Sequence, residues 1–102
     1  MEIVIQGHHA VISDHLRQRA ERLVGKLADR ASRAVHAVVR FETDGPMRRV
    51  EISMHETKRK LVVGEGRAAS FGPALSAAAA HVASRLAHEK RTPKARARAS
   101  RG

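Results

Sequence analysis

At 102 residues the chain has material for one domain around one modest core. Its 20 Lys and Arg against 10 Asp and Glu leave a net charge of +10, which implies an acidic partner: nucleic acid, an anionic membrane surface or an acidic protein. Zero Cys excludes disulfides and thiolate metal sites, and the apolar segments are too short and charge-interrupted to span a bilayer.

In chain order, Glu2–Gln6 reads as a short strand ended by Gly7, with none of the basic lead-in and apolar run of a signal peptide, so a cytoplasmic protein is expected. Ser13 is a good N-cap, Asp14 suits the first turn, and the helix that follows is predicted to reach about Ala31–Ser32. Val35, Ala37, Val39 and Phe41 alternate with His36, Val38, Arg40 and Glu42, the period of a half-buried strand. Asp44-Gly45-Pro46 turns the chain into a third strand, in which Val50, Ile52 and Met54 face one way. Lys58–Glu65 reads as a fourth strand, antiparallel to the third.

Ser70 can cap a second long helix that tolerates Pro73 in its first turn and presents Phe71, Leu75, Ala78, Ala79, Val82 and Leu86 as its apolar face. Beyond Thr92-Pro93 the sequence KARARASRG has no acid and no large apolar residue. Residues 1–91 are therefore expected to fold and 92–102 to form a disordered basic tail. Without the tail's four cations the net charge is still +6. The order β-α-β-β-β-α predicts an α+β fold with a four-stranded sheet and both helices on one face, the layout of a double-stranded-RNA-binding domain. The other sheet face would carry mixed charges: Arg40, Glu42, Arg49, Glu51, Ser53 and His55.

The first helix separates its charges. Arg19, Arg22, Lys26, Arg30 and Arg33 follow at steps of three or four and form a stripe about 110° from the apolar stripe. Asp14, Glu21 and Asp29 are expected on the far side, with Arg17 paired to Glu21. A one-sided row of cations suits the regular charges of a nucleic-acid backbone. Two Phe and no Trp or Tyr leave almost no platform for stacking unpaired bases, so phosphates and shape would carry recognition of structured RNA or duplex DNA. His81, Arg85 and His88 lie on one flank of the second helix in the same rotational sense, followed by Lys90 and Arg91. Even neutral, the two imidazoles could donate to phosphate. A solvated basic face kept for solubility is the plainer alternative.

Seven His invite a metal, but no acid or Cys completes a set with ligand spacing, and no metal or other cofactor is expected. No nucleophile–base constellation or Walker loop is legible, and Gly64-x-Gly66 lacks the context of a phosphate cradle. An enzyme with a small-molecule substrate is not expected.

Several junctions resemble the ribosome hibernation promoting factor family, also called ribosome-associated inhibitors or sigma-factor modulators. Ile3-Val4-Ile5-Gln6-Gly7-His8 is similar to its opening strand, and Ile12-Ser13-Asp14-His15-Leu16-Arg17 to its cap and helix start. Arg22 and Lys26 fall where its first helix is basic, Val50-Glu51-Ile52-Ser53-Met54-His55 resembles its third strand, and Phe71 stands for the aromatic that opens its second helix. The resemblance covers about residues 2–91 and the family's short form. It implies binding to ribosomal RNA of the small subunit, in the channel of messenger RNA and transfer RNA anticodon ends, so that translation is blocked and idle ribosomes are preserved. A stand-alone structured-RNA binder and an adaptor for an acidic protein are the alternatives.

Overall fold

In this computed structural model the backbone is described for residues 1–31, 34–57 and 61–101, and side chains up to His88. The elements are β1 (Glu2–His8), α1 (Asp14–Arg30), β2 (Ala34–Asp44), β3 (Met47–Glu56), β4 (Leu61–Ala68) and α2 (Phe71–Arg101). They form one sheet in the order β1-β2-β3-β4; β1 runs parallel to β2, and the remaining pairs are antiparallel. Both helices cover one face, α2 over β4 and β3, and α1 beside it toward β1 and β2.

Local chemistry sets the boundaries. The Ser13 hydroxyl accepts the Leu16 N–H at 3.1 Å and starts α1, and the Ala31 N–H closes it on the Leu27 and Ala28 carbonyls. Gly45 opens the two-residue turn between β2 and β3 at φ +58°, a conformation that glycine takes without a Cβ penalty. Pro73 sits in the first turn of α2, where a missing N–H costs little, and the Ser70 carbonyl accepts the Ala74 N–H.

The core lies between the sheet and the helices. Leu16, Ala20, Val24 and Leu27 of α1 meet Leu75, Ala78, Val82 and Leu86 of α2 over Ala37, Val39, Phe41, Val50, Ile52, Met54 and Val62. Phe41 and Phe71 pack edge to face with centroids 5.4 Å apart.

Several boundaries differ from the sequence reading. β1 continues through Gly7 to His8, and β4 is described from Leu61, because residues 58–60 lie outside the described ones. Val35 does not join its alternating partners in the core but is 48% exposed. The register of β2 on β3 shifts between Ala34 and His36, and the extra residue is turned outward. The helical backbone of α2 passes Thr92 and Pro93, where a tail was expected to begin; side chains there lie outside those described, and so does the expected disorder of 92–102.

Candidate nucleic-acid interface

α1 presents its basic stripe on the flank toward α2. Arg19, half-buried, is the one stripe residue among those described that hydrogen-bonds to the neighbouring helix: its Nη2 donates to the Ser76 hydroxyl at 2.6 Å. Arg22, Lys26 and Arg30 continue the row, are exposed, and have no hydrogen-bond or ion-pair partner among the described residues. Arg33 lies outside the described residues. Two details of the expected charge separation change. Asp29 stands one helical step from Lys26, about 60° from the centre of the stripe rather than opposite it. Arg17 and Glu21 are both exposed and form no ion pair among the described residues.

The cations of the sheet's outer face are spent on local carboxylates. Register places Gln6, Arg40, Glu51 and Glu65 in one row across the four strands and His8, Glu42, Arg49 and Arg67 in the next. Arg49 bridges Glu51 at 3.0 Å and Glu65 at 2.8 Å, Arg67 reaches Glu65 at 3.1 Å and Asp44 at 3.9 Å, and Arg40 lies 3.7 Å from Glu42. The hydrogen bond from Arg49 holds the Glu65 carboxyl down to about 2 and raises the guanidinium's own affinity for its proton. This face is neutralised from within.

α2 carries its polar groups on another side. His81, Ser84 and Arg85 line an open groove of about 660 Å³ against Val63–Arg67 of β4. Ser76, which meets Arg19, and His81, which meets β4, stand about 140° apart around the helix axis. The stripe and the His81–Arg85 flank are therefore two separate ridges, not the walls of one cleft. His81 Nδ1 donates to the Glu65 carbonyl oxygen, since a carbonyl can only accept. The nitrogen that was to reach phosphate from a neutral ring is thus already engaged. His88 is exposed, and the side chains of Lys90 and Arg91 lie outside the described residues.

Sequence reading missed Ser76, the Glu65 carbonyl and the use of Gly64-x-Gly66. A Cβ on Gly64 would sit 2.6 Å from the Ala78 carbonyl oxygen, and one on Gly66 would strike that of Ala74. The two glycines let α2 lie directly on β4, which brings His81 within reach of the strand. A Gly-x-Gly strand facing the small-residue run Ala77–Ala80 is the signal that could have shown this close approach. Among the described residues no group of three or more His, Asp or Glu is placed to hold a metal ion, and no helix is long and apolar enough to cross a membrane.

The fold defines an α+β protein of order β-α-β-β-β-α, with a mixed sheet covered on one side. The chain belongs to the sigma 54 modulation protein / S30EA ribosomal protein family, whose match spans residues 3–94. Among solved structures it is similar to the Protein Y N-terminal domain from Thermus thermophilus, at TM-score 0.73 and 23% identity over 84% of this chain and 96% of that one. It is also similar to a ribosomal subunit interface protein from Coxiella burnetii, at TM-score 0.73 and 15% identity over 88% of this chain and 98% of that one. No curated protein sequence matches it.

Proposed function

We propose that this protein is a ribosome hibernation factor, which binds the small ribosomal subunit through phosphates of ribosomal RNA and performs no chemistry. The observation that carries the reading is the contrast between two sets of cations. Those of the outer sheet face are paired at 2.8–3.9 Å, whereas Arg22, Lys26 and Arg30 are exposed and without a partner among the described residues. A protein gains solubility from either arrangement, but only unpaired, regularly spaced cations release the counterions of a polyanion on binding. Family membership and the name of the Coxiella burnetii neighbour, a ribosomal subunit interface protein, support the ribosome as the source of that polyanion. From the family resemblance, the site is the channel of messenger RNA and transfer RNA anticodon ends. Its occupation would block translation and preserve idle ribosomes in the cytoplasm.

Sedimentation of the protein with ribosomal particles tests this reading. Co-migration with free small subunits and intact ribosomes, weakening steeply as salt is raised, is expected. Migration apart from ribosomal particles, with retained affinity for duplex RNA, would indicate a stand-alone RNA binder. Retained affinity for acidic proteins alone would indicate an adaptor.

A further inference from the structure

We propose that the groove between α2 and the edge of β4 reads a ribose 2′-hydroxyl of A-form RNA, with His81 Nε2 as the acceptor and Arg85 on an adjoining phosphate. The assignment rests on the RNA-binding reading above and adds to it a second contact, which distinguishes RNA from DNA.

The argument begins at the helix–strand contact. Because Gly64 and Gly66 lack side chains, α2 lies close enough for the His81 ring to reach the backbone of β4. Donation to the Glu65 carbonyl fixes the proton of a neutral imidazole on Nδ1. Nε2, on the far side of an exposed ring that lines the groove, then has a free lone pair. It can accept a hydrogen bond but cannot donate one. A phosphate offers no proton to such a nitrogen, whereas a ribose hydroxyl does.

The surroundings suit a sugar–phosphate strand. Arg85, one helical turn after His81, is exposed and has no partner among the described residues. Ser84 adds a hydroxyl to the same wall. Among the described residues, the charged and titratable groups nearest His81 along α2 and in the groove are Arg85 and His88 on α2, and Glu65 and Arg67 on β4. The Glu65 carboxylate faces the other side of the sheet, where Arg49 and Arg67 hold it at 2.8 and 3.1 Å. A-form RNA presents its 2′-hydroxyls in a wide, shallow minor groove, which a helix edge can follow.

The test compares two duplexes of one sequence at low salt: unmodified RNA and its 2′-O-methyl form, which keeps the A-form and removes the hydroxyl proton. The wild-type protein should prefer the unmodified duplex by about three- to tenfold, the span of one net hydrogen bond. His81→Leu should remove the preference, His81→Gln, which retains an acceptor, should restore part of it, and Arg85→Ala should weaken both probes alike. Equal affinity for the two duplexes, or a preference that survives His81→Leu, overturns the role of His81 and leaves the α1 stripe standing. Failure of the wild-type protein to bind either duplex also overturns the role of the groove, whereas the ribosome reading stands or falls separately on co-sedimentation with ribosomal particles.

Discussion

Arg19 of α1 and Ser76 of α2 meet at 2.6 Å, guanidinium to hydroxyl, and this contact fixes which flank of α1 looks toward its neighbour. The rest of the stripe inherits that direction. Arg22, Lys26 and Arg30 share that flank by helical spacing and have no hydrogen-bond or ion-pair partner among the described residues. One cation of the row is held by the neighbouring helix, and the other three have no partner among the described residues.

Charge reversal separates these roles. Arg22→Glu with Lys26→Glu should weaken binding to small subunits strongly, and each lost phosphate contact should flatten the salt dependence by about 0.9 in log–log slope. Arg17→Glu, off the stripe, should do much less. Equal losses at all three positions in a filter-binding salt titration would leave only net charge as the cause.

The sheet contact of α2 predicts a stability effect at a residue with no side chain. Gly64→Ala places a Cβ 2.6 Å from the Ala78 carbonyl and 2.7 Å from Val82 Cγ2, so helix or strand must shift. Overpacking of this kind costs about 1–3 kcal/mol, which in a domain of this size lowers Tm by roughly 4–8 °C for each kcal/mol. Thermal melts of Gly64→Ala against Gly72→Ala, where nothing lies within 4 Å, would show whether close approach is the cause.

Glu65 gives the fold an acid limit. Hydrogen bonding to Arg49 lowers its pKa from 4.5 to about 2, below its value in the unfolded chain. A depressed carboxyl stabilises fully above the unfolded value and loses that contribution as pH falls through the folded one. Stability should therefore decline between about pH 4.5 and about pH 2, and Glu65→Gln should flatten this decline. The Glu65 side chain is 40% exposed, so added salt should shrink the difference. Denaturant titrations across that range with an unchanged slope in Glu65→Gln would remove Glu65 as the cause.

What the sequence made legible was local. Ser13 announced its cap, the alternation of Val50, Ile52 and Met54 announced a buried strand face, and the Asp44-Gly45-Pro46 turn announced the meander. What it concealed depended on partners distant in the chain. Val35 follows the alternation of β2 and is exposed only because β2 slips against β3. The stripe on α1 was visible, but its orientation needed Ser76, which lies 57 residues beyond Arg19. His81 looked like a free donor, and its engagement with Glu65 appears only when Gly64 and Gly66 admit the helix.

Occupation of the decoding channel predicts inhibition with a specific remedy. Addition of the protein to a cell-free translation reaction should reduce synthesis, and excess initiator transfer RNA with message should relieve the block by mass action. Inhibition indifferent to those competitors would indicate a different site or nonspecific coating of RNA.

The basic C-terminal segment should act by charge alone. Lys94, Arg96, Arg98 and Arg101 follow Pro93 with no large apolar residue among them to fix a position on a partner. A row of cations attracts a polyanion over about a Debye length, roughly 10 Å at 0.1 M salt and 3 Å at 1 M. Removal of residues 93–102 should leave Tm nearly unchanged, since among the described residues the last core side chain is Leu86. Binding to small subunits should weaken modestly at low salt and hardly at all at high salt, whereas the double reversal at Arg22 and Lys26 should remain damaging at low and moderate salt. Loss of binding at every salt concentration on truncation would make the segment the main recognition element and displace the α1 stripe from that role.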